Sequence, residues 1–369
     1  MKVAGLQYVA RIYTRPFIEP FSHMFFPIMR RTSYSLLFAL FVGFLLVPSP
    51  VQAQQGIDDL SDLRGALQSV SENYADQYVQ PATDAFGANI NSGLFRTADV
   101  GAGLLPLLPF DVYLGVSLSG TLTSSMKTSF TPTASESFNG FTARVEGPDE
   151  TVPTIFGETE PPNARLVVED ENGNVVADNP APQGLLDTPV APLPIPQLGL
   201  GSIAGTDVQV RYFPKTNLCY GGGCYGKVGV FGLAVRHDVD QWFPAPLPFN
   251  VAVQGAWNQF SLESEFAGET SEALDGSGWA FNVQASKGVP VVPLVFYGGL
   301  QYETFNVDYE YTFPLNNAPD PEIALEQTAA NQFRAIAGFS FTLAVIRLNV
   351  DYAFGGSNNV VSTGLGIRL

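Results

Sequence analysis

The sequence predicts an all-β protein, an antiparallel transmembrane β-barrel of about ten strands preceded by an N-terminal amphipathic helical segment. Three observations lead there. Residues 345–369 alternate apolar and polar side chains twice, around the turn Gly355-Gly356-Ser357-Asn358-Asn359. Similar runs of about ten residues recur down the chain, the length of a tilted strand that crosses an outer membrane. A secretory signal stands in front of them.

The closing alternation is the clearest. Ile346, Leu348, Val350, Tyr352 and Phe354 fall on one face of a strand, and Arg347, Asn349, Asp351 and Ala353 on the other. After the turn, Val361, Thr363, Leu365, Ile367 and Leu369 oppose Ser362, Gly364, Gly366 and Arg368. Period two is the strand repeat, so each run carries one apolar and one polar face.

In the signal, Arg30 and Arg31 precede the apolar run from Tyr34 to Val47, and Pro48-Ser-Pro-Val-Gln-Ala53 follows. A basic start, a short apolar run and small residues at the cut define a signal peptide over residues 1–53, cleaved after Ala53. The apolar run is shorter than the roughly 20 residues of a spanning helix. Met29 lies directly before the basic pair, so residues 1–28 also read as an over-extended start. Cleavage leaves 13 Lys and Arg against 34 Asp and Glu, a net charge of −21. That balance argues against nucleic acid as a partner. No later segment offers about 18 uninterrupted apolar residues, so any membrane crossing after the signal uses strands.

Residues 54–110 form the second region, a helical periplasmic or plug segment. Ile57, Leu60, Leu63, Leu67, Val70, Tyr74 and Tyr78 recur at helical steps over 57–79, with Asp58, Asp59, Asp62, Glu72 and Asp76 opposite. Pro81 is expected to stop that helix, and Asp84–Phe95 to form a second, short one. The segment either shields one end of a barrel or enters its lumen.

The barrel occupies 111–369. Its first strand alternates Val112, Leu114, Val116 and Leu118 with Tyr113, Gly115, Ser117 and Ser119. Residues 125–190 interrupt the pattern with Pro, Ser, Thr, Asp and Glu, and read as one long acidic outer loop. Within it, Arg165–Asp170 and Asn174–Asp178 flank Glu171-Asn-Gly as a hairpin. Further strands are expected at 194–202, 208–213, 227–237, 249–262, 277–287, 293–311 and 332–343. Outer connections then fall at 125–190, 214–225, 265–276, 312–330 and 355–358. The remaining turns, with Trp242 and Phe243 as interfacial anchors, face the periplasm.

Alternation directs Arg211, Arg236, Tyr297, Gln301, Glu303, Arg334, Arg347, Asn349, Asp351 and Arg368 into the lumen, because a lipid-facing Arg costs about 2–4 kcal/mol at mid-membrane. Two accounts fit. Either the interior is a closed network, in which Arg347 and Asp351 take part, or the acidic helix docks on basic walls as a displaceable plug.

Cys219 and Cys224 bracket Tyr-Gly-Gly-Gly in an exported chain, which reads as a disulfide at a hairpin tip. His237 is the one histidine after the signal, too few for a histidine-based metal site and badly placed for a Ser-His-carboxylate hydrolase. No catalytic residue, metal ligand or cofactor is assigned, and no enzyme activity is expected.

Several stretches resemble an uncharacterised family of Gram-negative outer-membrane β-barrel proteins, a domain of unknown function. They are Tyr78-Val-Gln-Pro81, Gly87-Ala-Asn-Ile-Asn-Ser-Gly93, Leu198-Gly-Leu-Gly201 with Gly205-Thr-Asp-Val-Gln-Val-Arg-Tyr212, Gly232-Leu-Ala-Val-Arg-His-Asp-Val-Asp-Gln-Trp242, and Phe333-Arg-Ala-Ile-Ala-Gly-Phe339 with Asp351-Tyr-Ala. The resemblance implies the barrel and the Gram-negative outer membrane, and it brings no activity. A helical segment ahead of a barrel is also loosely similar to the long-chain fatty-acid transporters, by architecture alone. The expected role is passage or binding of a small solute, hydrophobic ones included, with outer-membrane lipid as surroundings. The competing role is a non-transporting surface barrel that displays its acidic outer loop for adhesion or assembly.

Overall fold

The computed structural model describes residues 72–100, 111–133, 135–138, 141–184, 190–220, 223–266, 269–312, 322–356 and 358–369. The expected signal peptide and the helical pattern over 57–71 lie outside the described residues.

Among the described residues one α-helix, α1 (Glu72–Ile90), precedes the first strand β1 (Asp111–Leu122). Six short strands follow: β2 (Ser129–Phe130), β3 (Ser135–Phe138), β4 (Phe141–Glu146), β5 (Val152–Pro153), β6 (Arg165–Glu169) and β7 (Val175–Pro180). The long strands then run in sequence: β8 (Val190–Ile203), β9 (Thr206–Tyr220), β10 (Gly223–Asp238), β11 (Asn250–Phe266), β12 (Glu269–Gly288) and β13 (Leu294–Thr312). Four more complete the chain: β14 (Glu322–Thr328), β15 (Phe333–Leu343), β16 (Ile346–Phe354) and β17 (Val360–Arg368).

Pairing of β1 with both β8 and β17, and of β12 with β13, closes an antiparallel barrel of ten staves. β14 and β15 form one stave, broken at 329–332, and both pair with β13. Two of the tight turns need unusual backbone. Ala204 and Gly205 both have positive φ (50° and 70°), as the two-residue turn between β8 and β9 requires. Ala344 (φ 52°) serves the turn between β15 and β16.

Side-chain alternation reverses phase along several staves, and this reversal organises the molecule. Near the end that carries the tight turns, β13 exposes Phe296, Leu300 and Tyr302 outward. Farther along, the same strand buries Phe305, Val307 and Tyr309 inward, while Asn306 and Asp308 are exposed. β10 likewise exposes Phe231, Leu233 and Val235 but buries Val228 and Val230. One half of the barrel thus has an apolar outside and a polar inside, and the other half the opposite. Aromatic residues gather where the phases meet. Phe231 lies 6.0 Å from Trp257, Trp257 6.5 Å from Trp279, Trp279 6.0 Å from Phe281, and Tyr302 5.0 Å from Phe333.

Three expected loops are also corrected, 312–330 among them, where β14 pairs with β13. The pairs β9–β10 and β11–β12 run on through 214–225 and 265–276, leaving only short connections. Neither stretch carries a sustained apolar–polar alternation in its sequence, so the lipid-strand pattern does not show them.

The expected break at Pro81 is also absent, since α1 continues through it. A proline inside a helix removes one backbone hydrogen bond and crowds the preceding turn. Here tertiary contacts override that. Tyr74, Ala75, Tyr78, Val79, Ala82, Ala85 and Ile90 are all at most 4% exposed, packed in one apolar cluster with Val228, Phe260, Leu274, Phe305 and Val307 of the barrel wall. The carbonyl of Tyr78 is taken by the amide of Ile155 (3.1 Å).

The long connection 125–190 is folded. β3, β4, β6 and β7 form a four-stranded antiparallel sheet and β2 pairs with β5. The expected hairpin is β6–β7, and its turn is held by Asp170, whose carboxylate accepts from the amides of Asn172 and Asn174 and the Asn174 side chain. Those bonds hold the Asp170 carboxyl below its usual value. Ala143, Leu166, Val168 and Ala177 join the same apolar cluster as Tyr74 and Tyr78, so this sheet caps the barrel over the start of α1.

Candidate functional site

The interior of the turn-side half is polar, and residues 88–98 run through it. The helix ends at Ile90, where its last carbonyls have no partner within the helix. Two wall arginines supply one. Arg211 donates to the carbonyls of Ile90 (2.5 Å) and Ser92 (3.0 Å), and to Asn258 Oδ1 (3.1 Å). Arg334 donates to the carbonyl of Ala88 (3.1 Å) and to Ser92 Oγ (3.0 Å). Cations are favoured there because the aligned peptide dipoles leave partial negative charge at a helix C-terminus. Gln301 donates to the carbonyl of Asn91 (2.9 Å), and Asn258 to Asn91 Oδ1 (3.1 Å).

Beyond the helix the chain turns at Gly93 (φ 69°), whose carbonyl accepts from Gln197 (3.1 Å). A Cβ there would stand 1.9 Å from Ser117 Oγ. The left-handed backbone costs a non-glycine residue about 1–2 kcal/mol, and overpacking typically adds about 1–3 kcal/mol. Gly93→Ala is therefore expected to lower the urea midpoint of the folded barrel clearly, and Gly93→Ala with Ser117→Gly to recover part of the loss. Leu94 and Phe95 pack into a second apolar cluster with Ala256, Ala280, Tyr297 and Ile336. Ala98 donates its amide to Ser286 Oγ (2.9 Å), and Arg236 bonds the carbonyl of Thr97 while pairing with Asp207.

Each inward position read from the alternation can now be placed. Arg211, Arg236, Glu303, Arg334, Arg347 and Asp351 are all buried inside, and Arg368 is half-buried at the rim, paired with Asp111 at 2.5 Å. Glu303 pairs with Arg334 (2.6 Å) and accepts from Gln301 (2.6 Å). Arg347 and Asp351 do not share a bond. Asp351 accepts from the Tyr297 hydroxyl (3.0 Å), whereas among the described residues Arg347 donates one long bond, to Thr342 Oγ1 (3.4 Å).

The docking chemistry differs from an acidic helix on basic walls. Arg211 and Arg334 grip backbone carbonyls of the segment, and Arg334 spends its charge on a wall carboxylate. The helix acids point elsewhere. Asp76 accepts from Gln327 (2.9 Å), and Asp84 from the amide of Ala330 (2.8 Å). Both line a cleft of about 420 Å³ at the capped mouth, with Gln80, Lys127, Phe130 and Thr328. Burial raises the Asp84 carboxyl above its usual value.

Cys219 and Cys224 are directly opposed on β9 and β10, in the strands rather than in a loop, and their side chains lie outside the described ones. His237 is occupied at the turn end. Its Nδ1 shares a hydrogen bond with Thr206 Oγ1 (2.9 Å), and Nε2 accepts from Trp242 Nε1 (3.1 Å). Among the described residues no three metal-ligating side chains come together. The sequence reading missed Asn91, Ser92 and Gly93 as docking points and Arg96 and Asp207 as charged luminal groups. The run Asn89–Gly93, three of whose five residues are Asn or Ser, was the available signal.

The model of a family described as a family of unknown function, DUF6588, matches residues 29–369. No curated protein matches the chain. Among solved structures, the translocator domain of the autotransporter NalP from Neisseria meningitidis is 12% identical, with 81% of this chain and 99% of that one covered at a TM-score of 0.25. The transport unit of the autotransporter AIDA-I from Escherichia coli is 10% identical, with coverage of 78% and 98% and a TM-score of 0.26.

Proposed function

The chain belongs to the DUF6588 family of unknown function, and we propose that it is an outer-membrane barrel closed by its own residues 72–100, acting through its capped outer face rather than as an open pore. The turn-side half, with Phe and Leu outside and Gln, Asn and Arg inside, has the polarity of a barrel wall in lipid, and the aromatic row fits the outer interface. The capped half then stands above the membrane, where polar outward and apolar inward faces are those of a water-exposed fold.

One observation carries the closed reading: the lumen holds a packed core. Withdrawing α1 would expose Tyr74, Tyr78, Val79 and Ile90, each worth about 1.5–3 kcal/mol in burial. A polar plug held by charges alone would release far more readily. The cap supports an outward role, since residues 125–190 carry eleven Asp and Glu against three Lys and Arg. Arg144 and Arg165 are already paired there, with Glu146 and Glu169, and with Asp178. That leaves an acidic outer surface suited to a basic or polar partner, and no catalysis is assigned to it.

Deleting residues 129–184 in cells is expected to abolish a surface phenotype of the chain, such as adhesion to a cationic surface, while barrel assembly persists. Retained adhesion would sink the outward role. The passage reading draws on the polar turn-side lumen, which favours a polar solute over a hydrophobic one. It requires residues 91–100 to leave their wall contacts.

A further inference from the structure

At the turn-side mouth, charge is left unbalanced. Arg96, Asp99, Asp111, Asp207, Arg236 and Arg347 surround a gap with room for a single water-sized occupant. Asp207 pairs with Arg236, and Asp111 with Arg368. Asp99 is exposed at the edge. Arg96 and Arg347 remain, 5% and 7% exposed, and among the described residues no carboxylate hydrogen-bonds either.

Their surroundings sharpen the point. Arg96 lies over the Tyr113 ring (4.1 Å to its centre), with Nε lacking any partner. Arg96, Arg236 and Arg368 are close enough to repel Arg347, and Arg236 repels Arg96, against a weaker pull from Asp111 on both and from Asp207 on Arg96. Glycine keeps the wall open beside Arg96, since a Cβ at Gly199 would stand 3.3 Å from both terminal nitrogens. Here four guanidiniums, Arg96, Arg236, Arg347 and Arg368, meet three carboxylates, and buried guanidiniums that no carboxylate bonds are costly, so such a site calls for an anion.

We propose that this gap is a binding site for one small inorganic monoanion of halide size, bridging Arg96 of the luminal segment to Arg347 of the wall. The gap is too small for phosphate or an organic carboxylate. The anion would fasten the trailing end of the plug, residues 94–99, independently of what the outer face does.

The test uses the full chain, refolded and titrated with sodium chloride against sodium gluconate at constant ionic strength, so that screening is held fixed. Chlorine NMR is expected to show saturable line broadening, and amides of 94–99 are expected to exchange faster in gluconate. Arg347→Gln should weaken chloride binding about tenfold or more, the effect of losing one charge-assisted hydrogen bond. Should that variant fail to fold, Gly199→Ala keeps every charge and narrows the gap, with the same expected direction. Arg144→Gln, on the cap, should leave binding unchanged. Absence of saturable broadening in the native chain, or wild-type affinity in both luminal variants, would overturn the site.

Discussion

Replacing Arg334 with methionine is expected to destabilise the folded barrel by about 3–5 kcal/mol, the usual effect of breaking one side of a buried ion pair. Arg334 touches Glu303, the carbonyl of Ala88 and the hydroxyl of Ser92 at once. Its removal strands a buried carboxylate and takes one of two donors from the Ala88 carbonyl, which keeps the Ser92 hydroxyl (2.6 Å). The double variant Arg334→Met, Glu303→Gln should recover a large part of the loss, because it no longer buries an unpaired charge. Urea titration followed by the gel mobility shift of the folded barrel measures both. Equal destabilisation of the single and double variants would show that the carbonyl grip on α1, and not the charge pair, dominates.

The second large effect is expected at Tyr78. This side chain is fully buried among α1, the barrel wall and the cap, and its hydroxyl donates to the carbonyl of Gln183 (2.7 Å). Tyr78→Ala removes an aromatic ring from a packed core, which costs about 3–5 kcal/mol. Tyr78→Phe loses only the hydrogen bond, about 1 kcal/mol. Because the residue joins helix to cap, Tyr78→Ala should also make the 141–184 sheet the first segment cut by protease, whereas Tyr78→Phe should leave it protected. Matching protease patterns in the two variants would place the coupling elsewhere.

The closing strands were fully legible in the sequence. In β16 and β17, Arg347, Asn349, Asp351 and Ser362 lie inside and Leu348, Tyr352, Val361 and Ile367 outside, as period two requires. Legibility fails where the solvent changes. Above the aromatic row, Phe305, Val307 and Tyr309 keep an alternation, but its apolar phase points inward, toward α1. In sequence, 293–311 still reads through as one strand, but beyond the same row 214–225 and 265–276 read as outer loops.

Partner choice in the lumen was less accessible. Inward direction follows from alternation, but bonding depends on which staves face the plug. Asp351 is only four residues from Arg347 in sequence, yet it bonds Tyr297 on β13, while the arginine faces Arg96 at the opposite end of the lumen's polar half. Pro81 failed as a stop signal for a related reason. Local propensity marks a helix end only when packing does not hold the next turn in place.

The most direct test of the closed barrel is single-channel conductance of the refolded full chain in a planar lipid bilayer, beside a chain lacking residues 72–100. A lumen filled by its own core predicts a silent full-length protein, with current steps appearing once the segment is gone. Regular open-channel steps from the intact chain would contradict it.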